Sequence, residues 1–227
     1  MRKKIIVLSA VCFIFIGVNS VFAGFADLVG KVAGGAASGA GVSLTDLTSS
    51  KTNAIASYLA ATQELSQSLE KAAEAFGVKK EVLEKLAVVK SLKEGNINNN
   101  DLEKARKASE EADEIIKQKM QETKTPSIES KALLAESMVH LTKGIQEEGA
   151  LVGQTQSLST QAQASVNSAS PMEILKVKDI VSTALVLTKN VPLDLKLTKD
   201  ILSSYIQYAK ANNVAVPNNA TGLLKGE

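Results

Sequence analysis

The chain has 227 residues, one cysteine, one histidine and a formal net charge of +2 at pH 7. A single imidazole excludes metal sites built on two or three histidines. Aromatic residues make up only 4% of the chain and none is tryptophan, which argues against sugar-binding grooves and platforms that stack nucleic-acid bases.

Residues 1–23 are predicted to be a secretory signal peptide. They combine a basic start (MRKK), an apolar run (IIVLSAVCFIFIGV) and small residues before a cleavage site after Ala23. An uncleaved anchor is the alternative, but the apolar run is shorter than the roughly 20 residues of a spanning helix. We therefore expect an exported chain, periplasmic or secreted, that begins at Gly24. Since Cys12 lies in the leader, the remainder would have no disulfide and no thiolate ligand.

The leader also carries the excess positive charge. Without Arg2, Lys3 and Lys4 the chain has 23 basic and 24 acidic residues and a net charge of −1. A chain with this charge lacks the positive electrostatic field that nucleic-acid binding requires, so no nucleic-acid partner is expected.

Residues 24–44 (GFADLVGKVAGGAASGAGVSL) contain six glycines and five alanines. As a helix, this segment would align small residues that allow close helix packing in lipid, and it resembles the glycine-zipper segments of membrane-associated bacterial proteins. Asp27 and Lys31 would be costly inside a bilayer. Two interpretations stay open: a flexible or surface-lying leader, and a helix that inserts into a membrane or a partner. The candidate packing residues are Ala26, Gly30, Gly34, Gly35, Ser38 and Gly39.

Helical periodicity dominates the next hundred residues. It predicts one long helix at 45–76, ended by Gly77, a shorter helix within 79–95, and a third at 101–123. The inner positions of the last two are Val82, Leu86 and Val89, then Leu102, Ala105, Ser109, Ala112 and Ile116. The connector NINNND lacks the glycine and glutamate of a calcium loop, since Asp101 and Lys107 occupy those positions.

Residues 127–170 carry a heptad pattern for about five repeats. Its seam runs Leu134, Met138, Leu141, Ile145, Glu148, Val152, Thr155, Ser159, Ala162, Val166, Ala169. We interpret Leu134, Met138, Leu141, Ile145 and Val152 as a possible seam for a partner helix. Gly144, Gly149 and Gly153 are weak points at which a kink or break is expected.

Two further helices are predicted around Pro192. The first starts at Ser170 and Pro171 and extends to Asn190; because it is apolar on nearly every side, we expect it at the buried centre. The second follows Pro192 through Leu197, Ile201, Tyr205 and Tyr208, and residues 214–227 are predicted to be an extended polar tail.

These elements predict an all-α fold, an elongated antiparallel bundle of five to six long helices over residues 45–213. No nucleophile, phosphate-loop or metal motif is present, and Glu136 with His140 would make only half a metal site. We expect a non-enzymatic protein without cofactors. Its function is either that of an exported scaffold that binds another protein, with self-association included, or that of a membrane-active, pore-former-like protein that uses residues 24–44.

Overall fold

The computed structural model describes residues 42–92 and 97–225. These residues form six α-helices and no strand, which confirms the predicted all-α helical bundle. The helices are α1 (Leu44–Ala75), α2 (Lys79–Lys90), α3 (Asn99–Glu122), α4 (Ile128–Val166), α5 (Ile174–Ala211) and α6 (Ala220–Lys225).

Polar side chains define where three of the long helices begin. Ser43, Asn98 and Ser127 each accept a hydrogen bond from a backbone N–H in the first turn of the helix that follows, which satisfies one donor that the helix leaves free. At the other end of α1, Gly77 takes a positive φ of 72°. This conformation favours glycine and turns the chain directly into α2.

Helix α4 is continuous over 39 residues, about 58 Å at 1.5 Å per residue. The expected break at its glycines is therefore wrong. Gly144 lies against α1, where a Cβ atom would be 3.6 Å from both the backbone oxygen of Ala61 and Cβ of Glu64. Gly149 and Gly153 face open space, and the helix passes through them because its opposite face is packed.

Helix α5 is also continuous, over 38 residues with Pro192 inside it, so the predicted division at this proline is wrong. Proline removes one backbone hydrogen bond, the one to the carbonyl of Thr188. Pro192 is exposed, whereas Val191 and Asp194 beside it are buried. Packing on both sides of the proline outweighs the loss of that bond.

The N-terminal end of α5 differs from the prediction as well. The helix begins at Ile174 and not at Pro171. The Glu173 carboxylate accepts hydrogen bonds from the backbone N–H and the hydroxyl of Ser170, at 3.1 and 2.6 Å. This places a turn before the helix.

The C-terminal residues are not an extended tail over their described length. Val214 and Ala220 are buried, 7% and 0% exposed, and α6 packs on the bundle. The prediction took this segment to be polar and extended, but its apolar side chains Val214 and Ala220 pack against one of the core clusters.

Helix α4 runs antiparallel to α1, and α5 runs parallel to α1. The α1–α4 contacts are Glu64–His140, Ser68–Ser137 and Lys71–Glu136. The α1–α5 contacts are Lys51–Asp179 and Tyr58–Asp194. As the residue numbers rise along α1, those of the contacting residues fall on α4 and rise on α5. Helix α4 is therefore antiparallel to both neighbours.

The buried apolar side chains form two clusters along these helices. On α4 one cluster ends at Ile145 and the other begins at Leu151. On α5 the change occurs between Val191 and Ile201. The stretch between the two clusters holds buried polar side chains, and this polar layer is the distinctive feature of the interior.

Two glycine substitutions test the exposed side of α4. Gly149→Ala and Gly153→Ala should each raise the free energy of unfolding by about 1 kcal/mol, because glycine weakens a helix interior and a Cβ atom meets nothing within 4 Å at either position. Urea unfolding measures the change. Gly77→Ala is the control and should lower stability by about 1 kcal/mol, because alanine is strained at positive φ. A loss of stability in either α4 variant would mean that these positions are covered.

Candidate functional site

The polar layer centres on Asp194 of α5. Its Oδ2 accepts the hydroxyl proton of Tyr58 at 2.8 Å, and its Oδ1 accepts from Nη1 of Arg106 at 3.1 Å. The same nitrogen donates to Oδ1 of Asn190 at 3.2 Å. Side chains from α1, α3 and α5 are thereby joined inside the bundle. Tyr58, Asn190 and Asp194 are buried, and the Arg106 side chain is 16% exposed. Burial is the largest influence on Asp194 and raises the pKa of its carboxyl.

Glu148 of α4 completes the layer and is 2% exposed. Burial raises the pKa of Glu148 well above its ordinary value, and the nearby Asp194 carboxyl raises it further. Thr198 Oγ1 lies 3.3 Å from Oε1 of Glu148 and 3.0 Å from the backbone oxygen of Asp194. The Thr198 hydroxyl is the donor in both contacts. Oε2 of Glu148 has no hydrogen-bond partner among the described residues, and a buried carboxylate oxygen without a donor favours the neutral acid.

A second carboxyl pair lies next to this layer between α1 and α4. Oε2 of Glu64 is 2.6 Å from Nδ1 of His140. Glu147 is near Glu64, and burial, with a smaller contribution from the charge of Glu64, raises the pKa of Glu147 to about 7. Glu136, which with His140 would make only half a metal site, pairs instead with Lys71 at 3.1 Å. Among the residues that the structure describes, no group of three His, Cys, Asp or Glu side chains could hold a metal ion.

The seam proposed for a partner is filled by the chain itself. Leu134, Met138, Leu141 and Ile145 are at most 3% exposed and belong to the core with α1 and α5. Val152 is half-buried, and the seam continues on Leu151, which is fully buried. The heptad pattern is correct as a helix-packing pattern, but these side chains are not available to another protein.

Helix α5 presents a different apolar surface. We call it the α5 face: the exposed side formed by Leu175, Lys178, Leu185, Lys189, Leu193 and Lys196. The three leucines are 74%, 49% and 43% exposed. The expected burial of this helix on nearly every side is therefore wrong. Its inner stripe packs in the core, while its outer apolar residues meet solvent.

Two grooves on the described surface, of about 420 and 440 Å³, do not reach the buried carboxyls. They lie between α1 and α2 and beside the C-terminal half of α5. Neither is lined by Glu148 or Asp194. These acids therefore support the fold and have no access to a ligand through these grooves.

The Gly/Ala-rich candidates, Ala26, Gly30, Gly34, Gly35, Ser38 and Gly39, lie outside the described residues. Over residues 42–92 and 97–225, none of the helices combines the length and the apolar character needed to cross a membrane.

Comparison with protein-family models, with curated proteins and with solved structures gave no match to this chain. Function is therefore inferred from the geometry of these residues alone.

Both features of the site were missed from the sequence. Glu148 lies in the predicted seam, and a carboxyl in a buried heptad position is a usable signal for an interior polar layer. Asp194 gives no such signal, because the predicted helix ends before it. The α5 face had a signal too: the helix has more leucines than one buried stripe can accommodate.

The buried carboxyls determine how stability depends on pH. Between about pH 4.5 and the raised pKa values, folded Glu147 and Glu148 retain protons that the unfolded chain has lost. The free energy of unfolding should therefore fall as pH rises from about 5 to about 8. Urea unfolding across this range measures it. Glu148→Gln should flatten the dependence, since glutamine resembles the neutral acid.

Glu103→Gln is the matched control for this experiment because Glu103 is exposed on α3. It should keep the pH dependence of the parent chain. Equal slopes in the Glu148→Gln variant and the parent would contradict the assignment of a neutral buried acid.

The charge of Asp194 is tested by removing its positively charged partner, Arg106. Arg106→Met should lower the free energy of unfolding by about 3 kcal/mol, because it leaves a buried carboxyl without its positive partner. Arg106→Met combined with Asp194→Asn should lose less, since no buried charge remains. Lys104→Met, exposed on the same helix, should change stability by no more than about 0.5 kcal/mol. Equal losses in the single and double variants would exclude this coupling.

Proposed function

We propose that the chain is a non-enzymatic, exported helical bundle that binds another protein through the α5 face. The observation that carries this proposal is the row of exposed leucines at 175, 185 and 193. Isolated exposed leucines are common on protein surfaces, but three on one side of one helix form a surface of the kind that binds a partner.

The positions on the helix support a single surface. With Ser182 included, the residues of the face follow one another at spacings of three or four: Leu175, Lys178, Ser182, Leu185, Lys189, Leu193 and Lys196. Residues at these spacings lie on the same side of an α-helix. The partner is thus expected to contact α5 over residues 175–196.

The polar interior supports a binding role over a catalytic one. Three side chains of the polar layer that are suited to acid–base chemistry, Glu148, Asp194 and Tyr58, are committed to contacts between helices and have at most 7% of their surface exposed. Catalysis requires such groups to reach a substrate. Their position favours a structural role.

Export is the second part of the proposal and depends on residues 1–23. The intact mass of the protein recovered outside the cytoplasm should correspond to a chain that begins at Gly24. A mass that retains MRKK would contradict cleavage.

Binding is tested by a photo-crosslinking residue placed at position 185 in the exporting cell. We expect one crosslinked protein that disappears when Leu175→Ser and Leu193→Ser are added, because these changes remove apolar contact area without altering charge. The same probe at position 103, exposed on α3, is the control and should give no such product. A product at 185 that is indifferent to the serine substitutions would overturn the assignment of this face.

The exported chain also serves to test the membrane-active alternative. The exported chain is mixed with liposomes and the two are separated by flotation. Flotation that is lost on deletion of residues 24–44, together with no crosslink at position 185, would replace partner binding by membrane action.

A further inference from the structure

The α5 face is long and narrow. It extends from residue 175 to residue 196, about 32 Å along the helix axis. Apolar and basic side chains alternate along it: Leu175 is followed by Lys178, Leu185 by Lys189, and Leu193 by Lys196. A partner that covers this strip must offer apolar and charge-complementary groups in the same alternation.

The lysines of the face are not neutralised within the described part of the chain. Lys178, Lys189 and Lys196 are exposed and form no ion pair with any described residue. Asp179, which lies beside the face, is paired with Lys51 of α1. Asp200 is the exposed acid at the C-terminal end of the strip. The face therefore carries a net positive charge along most of its length.

We propose that the occupant of the α5 face is an acidic amphipathic helix of another protein, which packs its apolar side chains against Leu175, Leu185 and Leu193 and places carboxylates beside the lysines. This inference rests on the proposed partner-binding function and specifies the chemistry of the partner. A helix of about 21 residues matches the length of the strip, and apolar residues three and four apart supply the required contacts.

A lipid surface fits this strip less well. Helices that lie in a membrane interface segregate a continuous apolar side from a basic one, whereas here lysines separate the leucines on the same side. A partner helix can alternate leucine and glutamate to match. Charge complementarity then sets the specificity and the rate of encounter.

The probe for the test is a synthetic helical peptide of about 21 residues with leucines three and four apart and glutamates flanking them. Two control peptides replace every glutamate by lysine or every leucine by serine. The exported protein should bind the acidic peptide in fluorescence anisotropy, and binding should weaken as salt is raised. It should bind neither control peptide.

Charge reversal on the face identifies the site. Lys178→Glu, Lys189→Glu and Lys196→Glu together should weaken binding of the acidic peptide by about tenfold or more and create binding of the basic peptide. The matched control is Lys80→Glu, Lys107→Glu and Lys124→Glu, three exposed lysines away from the face. It alters net charge equally and should retain binding.

Two results would overturn the inference. One is an equal loss of peptide binding in the face and control triple variants, which would show that the net charge of the protein, and not the α5 face, determines binding. The other is binding of the α5 face to phosphatidylglycerol vesicles without binding of the acidic peptide, which would assign the face to a membrane.

The cellular crosslink separates this inference from the function on which it rests. A crosslink at position 185 that requires Leu175 and Leu193 but survives charge reversal of the lysines would retain partner binding and exclude an acidic helix. Loss of the crosslink on charge reversal supports both the partner-binding function and an acidic helix as the partner.

Discussion

Two buried carboxyls lie in the middle of this bundle, and of the two only Asp194 is paired with a cation among the described residues. Asp194 receives the hydroxyl of Tyr58 and the guanidinium of Arg106, whereas burial raises the pKa of Glu148 and favours its neutral form. A one-turn slip of α5 would carry Asp194 about 5.4 Å along its neighbours and into apolar surroundings, where its carboxyl would lose both donors. Unpaired buried charges cost several kcal/mol. The polar layer therefore fixes the register of α5 against α1 and α3, and the two apolar clusters on either side follow from that register.

Local periodicity is sufficient for the helices whose packing is uninterrupted. The inner positions of α2, Val82, Leu86 and Val89, are all buried as predicted, because an amphipathic stripe has few alternatives once the chain is helical. Proline is the main source of error. The predicted helix ends at Asn190, before Pro192, although the observed helix continues inward at Asp194 and Thr198. Local propensity gives way to tertiary packing, and one misplaced boundary conceals the centre of the polar layer.

The partner of a heptad seam could not be predicted for a different reason. Leu134, Met138, Leu141 and Ile145 show that α4 packs against helices, but the same spacing arises whether those helices belong to this chain or to another. Their near-complete burial assigns them to the chain's own core. The signal for an outer surface was instead the excess of leucine on α5 beyond its inner stripe. Such an excess is visible in the sequence, but only the rotation of the helix tells which leucines face outward.

That rotation is set by the polar layer. Successive residues on a helix are about 100° apart, so turning α5 far enough to bury Leu193 would swing Asp194 away from Tyr58 and Arg106. Covering Leu193 would contribute about 1.5 kcal/mol at most, since part of it is already buried. Separating the carboxyl from its donors would cost about 3 kcal/mol or more. The loss at the carboxyl outweighs the gain at the leucine, and α5 holds its outer leucines in solvent. The polar layer thus fixes the rotation of α5 and with it the side of the helix on which the α5 face lies.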